Sequence, residues 1–222
     1  MPKKSTTKAT SKPVPKPRPG LPHQVRIIGG DWKRTPLPVL AAGGLRPTPD
    51  RVRETVFNWL THLLDGHWAA VHCLDLFAGT GALGLEAASR GAGRVLLVDD
   101  NTEVAHQLEA IRDKLKAPHV SVLRADARAA AQGLQRRISG PADRFTLIFL
   151  DPPYHAGLLA QLLPLCAELL APGGLVYVEA ERALENADRP DWMQGWQTVR
   201  ADRAGLVYFH LLQRESTSQV QA

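Results

Sequence analysis

The chain has 222 residues, 44% hydrophobic and 22% charged, which suits a folded globular protein with one substantial core. It contains no apolar run of about 18 residues and no secretory h-region. Its two distant cysteines, Cys73 and Cys166, suit neither a disulfide framework nor a zinc site and are expected as buried free thiols.

The net charge of +5 is uneven. The first 60 residues hold twelve basic and three acidic side chains, and the other 162 hold fifteen and nineteen. A polyanionic partner is therefore expected at the front end. Residues 1–24 carry six basic residues, six prolines and no acid. With so few apolar groups they cannot offset their ordering entropy, and a disordered basic tail is expected. Residues 25–28 and 32–39, around Gly29-Gly30, predict a small hairpin. Thr48-Pro49 predicts a helix start, with Thr48 as N-cap and Pro49 in the first helical position. Val52, Val56, Trp59 or Leu60, and Leu63 then recur at helical spacing. Residues 25–65 thus read as an extension that docks the polyanionic partner, 66–214 as the main domain and 215–222 as a flexible end.

From residue 71 strands and helices alternate. Strands are predicted over 71–77, 94–99, 120–124, 145–150 and 175–179. Helices are predicted over 81–90, 102–116, 126–138 and 157–170, the last bent at Pro164. Near-continuous apolar strands between helices imply an α/β fold, a mostly parallel sheet covered on both faces. Residues 196–200 and 206–212 are too close together for a crossover helix. They predict an antiparallel hairpin at one sheet edge.

The segment Asp75-Leu76-Phe77-Ala78-Gly79-Thr80-Gly81-Ala82-Leu83-Gly84 follows a strand and opens a helix. Gly79, Gly81 and Gly84 have the spacing that lets a nucleoside-containing cofactor approach the backbone. Asp99 ends the next strand, where a carboxylate accepts from ribose hydroxyls. A nicotinamide dinucleotide would fit the glycines equally well. Asp75 favours S-adenosylmethionine, because a carboxylate there can hold an ammonium and would repel a pyrophosphate. Asp126, after the third strand, can accept from an adenine amine, cap the next helix, or do both. The neighbours Phe77, Ala78, Asp100 and Ala127 are counted with these residues as cofactor contacts.

Asp151-Pro152-Pro153-Tyr154 ends the fourth strand and is the most informative motif. Two prolines fix the backbone so that the Asp151 carboxylate and the Pro152 carbonyl can point the same way. Two such acceptors suit an exocyclic NH2, whose lone pair is otherwise delocalised into its ring. Tyr154 can stack on the base, and a paired nucleotide would have to be flipped out to reach the site. No metal is expected. A nicotinamide-dependent oxidoreductase would leave this motif unexplained, and a non-catalytic RNA-binding module would leave the crevice acids without a purpose.

Arg26, Lys33, Arg34, Arg46, Arg51 and Arg53 form a basic set able to hold phosphates, although a local ion pair from Asp50 to Arg53 accounts for part of it equally well. The stretch Arg46-Pro47-Thr48, then Arg51-Val52-Arg53-Glu54 and Phe57-Asn58-Trp59-Leu60, together with Val25-Arg26-Ile27-Ile28-Gly29-Gly30, Asp75 to Gly84 and Asp151 to Tyr154, resembles the bacterial 16S rRNA (guanine-N2)-methyltransferase family over about 190 residues. The resemblance implies a Rossmann-like class I methyltransferase with a seven-stranded sheet and S-adenosylmethionine as donor. It implies a guanine of 16S rRNA, in an assembling small ribosomal subunit, as acceptor. It makes Gly79, Gly81, Asp99 and Asp126 cofactor contacts and residues 151–154 the catalytic loop. A cytoplasmic monomer with no membrane partner is expected. DNA adenine-N6 methylation is the alternative, disfavoured because the chain has no sizeable target-recognition domain.

Overall fold

A computed structural model describes residues 25–40, 48–153, 157–184 and 190–215. The expected tail of residues 1–24 lies outside them, as does most of the expected flexible end.

The hairpin is short: β1 (Val25–Arg26) pairs antiparallel with β2 (Pro36–Leu37). Helix α1 (Asp50–Leu63) follows. The main sheet contains β3 (His72–Asp75), β4 (Arg94–Asp99), β5 (Val120–Arg124), β6 (Phe145–Leu150), β7 (Leu170–Ala180), β8 (Trp196–Ala204) and β9 (Val207–Arg214). Between them run α2 (Gly84–Ser89), α3 (Thr102–Lys114), α4 (Ala127–Gln135) and α5 (Leu158–Leu169). The strand order is β5-β4-β3-β6-β7-β9-β8, parallel from β5 through β7, with the expected antiparallel hairpin of β8 and β9 at the edge.

Alternate residues of the central strands feed two cores. Cys73, Val95, Leu97, Leu147, Phe149 and Tyr177 pack towards α1, α2 and α3. Leu74, Val98, Ile148, Leu150, Val176 and Val178 pack towards α4 and α5. Each buried Leu, Val or Phe side chain contributes roughly 1.5–3 kcal/mol, so both faces of the sheet are committed. Both cysteines are free and buried, and burial pushes the Cys166 thiol up to about 12.

Several elements differ from the expectations: β3 (His72–Asp75), α3 (Thr102–Lys114) and α4 (Ala127–Gln135) are shorter and β8 (Trp196–Ala204) is longer than predicted. Helix α2 begins at Gly84, because residues 81–83 are spent in the turn after the glycine loop. Strand β7 begins at Leu170, which pairs with Phe145 before a bulge carries the chain to the Leu147–Leu175 pair. Helix α5 is a single segment with Pro164 inside it.

The hairpin is tied to α2 by two buried side chains. Glu86 Oε2 accepts from the Ile28 N–H at 2.6 Å, while Ser89 Oγ donates to the Gly29 carbonyl at 2.6 Å and accepts from the Trp32 N–H at 2.9 Å. Gly30 has φ of +72°, and a Cβ there would lie 1.8 Å from the Ser89 carbonyl oxygen, so only glycine fits this contact.

Candidate active site

Four neighbouring parallel strands carry an acid at the same edge of the sheet. Asp99 ends β4, Asp75 ends β3, Asp151 follows β6, and Glu179 is the penultimate residue of β7. The chain reverses its winding between β3 and β6, and a crevice forms at such a reversal. Among the described residues no Lys or Arg pairs with any of these four carboxylates. No group of three or more His, Cys, Asp or Glu among the described residues is arranged to hold a metal ion.

Asp75 is 1% exposed. Its Oδ2 accepts from the Gly84 N–H at 3.0 Å, and its Oδ1 has no partner. Burial pushes this carboxyl up to about 7. A Cβ at Gly84 would lie 2.2 Å from Leu97 Cδ2 and 3.1 Å from Asp75 Oδ2, so glycine lets α2 sit against the acid. Gly79 and Gly81 both have positive φ, +49° and +78°. The Gly79 N–H donates to Asp99 Oδ2 at 2.9 Å, and the Asn101 N–H donates to Asp99 Oδ1 at 3.0 Å. The Ala78 N–H donates to the Val98 carbonyl, so the loop is sewn to β4 at two points. Phe77 is half-buried beside the loop, and Asp100 is exposed. Asp126 caps α4, its Oδ1 accepting from the Ala129 N–H at 2.9 Å, while Ala127 is buried behind it.

On the other side of the reversal stands Asp151-Pro152-Pro153. Tyr154 lies outside the described residues. Asp151 is half-buried and Pro152 buried. Thr48 is not the N-cap of α1. That position falls to Pro49, and the cap has no side-chain hydrogen bond. The Thr48 hydroxyl instead lies 2.8 Å from Glu179 Oε1 and 3.3 Å from Asp151 Oδ2. The Tyr177 hydroxyl donates to the same Glu179 oxygen at 2.8 Å. Burial and the neighbouring Glu179 charge raise the Asp151 carboxyl well above the usual range, and burial raises Glu179 as well.

Glu179 was not among the residues expected at the site. Its signal was an acid at the end of an otherwise apolar strand. Thr48 gave no comparable signal, because a Thr before Pro reads as an ordinary cap.

The basic set divides. Arg26, Lys33, Arg34 and Arg51 are exposed. Arg46 lies outside the described residues. Arg53 does not belong to an RNA-facing surface, because its side chain is fully buried. It donates to the Arg26 carbonyl at 2.8 Å, to the Thr48 carbonyl at 3.3 Å and to Asp50 Oδ1 at 2.6 Å. Asp50 also binds Arg26 at 3.1 Å, so the local ion-pair alternative accounts for Arg53. Arg53 is a strut that fixes Thr48 over the acids.

Residues 25–213 match the family model described as Conserved hypothetical protein 95. The chain is 40% identical over 203 residues to ribosomal RNA small subunit methyltransferase D of Escherichia coli strain K12, covering 90% of this chain and 94% of that protein. It is 38% identical over 200 residues to the protein of the same name from Haemophilus influenzae, covering 88% and 96%. The solved structure of a candidate methyltransferase from Escherichia coli superposes with a TM-score of 0.69 at 36% identity, covering 87% of this chain and 99% of that one. The α/β sheet with its antiparallel end, the glycine loop and these matches along most of the chain place it in one family: the chain belongs to the family described as Conserved hypothetical protein 95, and it is similar over about nine-tenths of its length to two ribosomal RNA small subunit methyltransferases D.

Proposed function

We propose that this chain methylates the exocyclic N2 amine of a guanine in 16S rRNA within an assembling small ribosomal subunit, using S-adenosylmethionine, as a cytoplasmic monomer. The observation that carries the reading is the row of acids at the sheet reversal, which pairs with no cation among the described residues and in which the buried Asp75 Oδ1 lacks a partner among them. A buried carboxylate oxygen without a donor is costly unless a ligand supplies one. The names of the relatives supply the RNA and the methyl-transfer chemistry.

When bound, S-adenosylmethionine supplies an electrophilic methyl carbon on a positively charged sulfur. Asp75 offers Oδ1 to the ammonium of the amino-acid end. Asp99, already aimed by two backbone N–H groups, has lone pairs left for ribose hydroxyls. Asp126 and Ala127 border the adenine end. Asp151 and the Pro152 carbonyl accept the two N–H bonds of the amine, which returns lone-pair density to nitrogen and stabilises the positive charge it gains. Asp151 then takes the proton that nitrogen sheds. Fixing both partners in line lowers the barrier further by several kcal/mol. Tyr154 stacks on the base, and Arg26, Lys33, Arg34, Arg46 and Arg51 hold phosphates without reading sequence.

Incubating the protein with labelled S-adenosylmethionine, and with either immature small subunits or genomic DNA, tests the proposal. N2-methylguanosine in 16S rRNA is the expected product. Label in DNA adenine, or in no guanine, overturns it.

A further inference from the structure

We infer that Glu179 is a second substrate-reading carboxylate, which accepts from the N1–H of the target guanine while Asp151 accepts from its N2 amine. This deepens the guanine reading above and rests on it.

The argument begins with register. Leu150 of β6 faces Val178 of β7 in a parallel pair, so the next residues, Asp151 and Glu179, stand side by side at the mouth of the crevice. Their common contact is the Thr48 hydroxyl. Both hydroxyl donors to Glu179, from Thr48 and Tyr177, fall on Oε1. The two carboxyls also hydrogen-bond each other, with Asp151 raised and Glu179 lowered by that contact, and among the described residues no hydroxyl, backbone amide or cation donates to Oε2, so an N1–H that reaches Glu179 competes only with the Asp151 carboxyl. Two neighbouring carboxylates at 5% exposure for Glu179, with no basic partner among the described residues, are expensive to maintain. A structural role alone would be served by an amide or a hydroxyl at far lower cost.

The ligand that relieves this arrangement must present adjacent donors. Guanine does so: N1–H and the N2 amine lie next to each other on one edge. Adenine presents a lone pair at N1 beside its amine, and a carboxylate facing that lone pair is repelled. The acid pair therefore selects guanine by attraction and rejects adenine by repulsion. The Tyr177 and Thr48 hydroxyls on Oε1 hold the Glu179 side chain so that Oε2 is the oxygen available to the base.

The test uses small-subunit particles reconstituted with either guanine or 2-aminopurine at the methylated position. 2-Aminopurine keeps the 2-amine but replaces N1–H with a lone pair. The wild-type protein is expected to prefer guanine by about a hundredfold or more in kcat/KM, as sites built around a hydrogen-bonded group do. Glu179→Gln is expected to reduce that preference to less than about tenfold, because the amide can turn its NH2 towards the lone pair. Asp151→Asn is expected to slow both substrates together and leave the ratio in place. S-adenosylhomocysteine binding serves as the folding control. Wild-type protein that uses both particles equally overturns the inference, whether or not the variant folds. So does Glu179→Gln that keeps the full preference. A wild-type protein that leaves guanine unmethylated removes the guanine reading itself, an outcome distinct from the other two.

Discussion

The acids on the two sides of the sheet reversal are held in different ways. On the β3–β4–β5 side each is tied to backbone close by in the chain: Asp75 to Gly84, Asp99 to Gly79 and Asn101, and Asp126 to Ala129. On the β6–β7 side Asp151 and Glu179 are held by hydroxyls, and the one they share comes from Thr48, 103 and 131 residues away. The first half is built locally and stands ready for a ligand whose shape does not vary. The second is assembled only when the N-terminal extension docks, so the Asp151–Glu179 pair depends on a segment far away in the chain.

The largest break in that comparison is Asp151→Asn. Turnover should fall about 10²–10³-fold, as when a single group that stabilises transition-state charge is removed, while affinity for S-adenosylhomocysteine stays within about twofold. Weakened cofactor binding with full turnover at saturation would argue against the role given to Asp151. Arg53→Ala comes next. It removes a buried strut with three partners and should cost about 2–4 kcal/mol of stability in denaturant titration. Its neighbour Arg51→Ala should leave stability unchanged and raise the RNA KM a few-fold, which separates the buried arginine from the exposed one.

Thr48→Val keeps the shape of the side chain but removes the shared hydroxyl. Losing a hydrogen bond to charged groups costs about 1.5–3 kcal/mol, so the melting temperature should fall by roughly 3–12 °C and kcat should drop at least about tenfold at a temperature where the variant is folded, with cofactor affinity nearly constant. Equal kcat in this variant would show that the hydroxyl does not organise the acids.

The effect that is smallest per step is a pH slope on the other side. With its carboxyl raised from 3.8 to about 7, Asp75 favours the free fold while protonated. That contribution is complete below about 4 and fades as pH rises through about 7. The ammonium of a cofactor requires the ionised form. Affinity for S-adenosylhomocysteine should therefore tighten by up to about tenfold per unit as pH rises towards 7, then level off. Calorimetry at several pH values measures this, and Asp75→Asn should flatten the slope. A slope that persists in the variant assigns it to another group.

Much of the cofactor side was legible in the chain. Strands β4, β5 and β6 fall where their apolar runs predict. The glycine spacing and the acids that follow it lie within short segments whose geometry is local. Two misreadings and one omission share a cause. Thr48 resembled a cap and Arg53 a phosphate contact, while Glu179, correctly placed at the end of a strand, was not counted with the site. Each acquires its role from partners distant in the chain, Arg53 from Arg26, and Thr48 and Glu179 from each other. Periodicity and local propensity carry no information about such meetings.

By itself the sequence determined the alternation of strands and helices, the parallel sheet and the glycine loop with its acids, because these follow from side-chain period and from backbone freedom over a few residues. Only the tertiary structure decided that Arg53 turns inward to hold Thr48, and that Thr48 bridges Asp151 and Glu179. The reason is that burying a charge or a hydroxyl is favourable only where its partners converge, and that convergence is a property of packing.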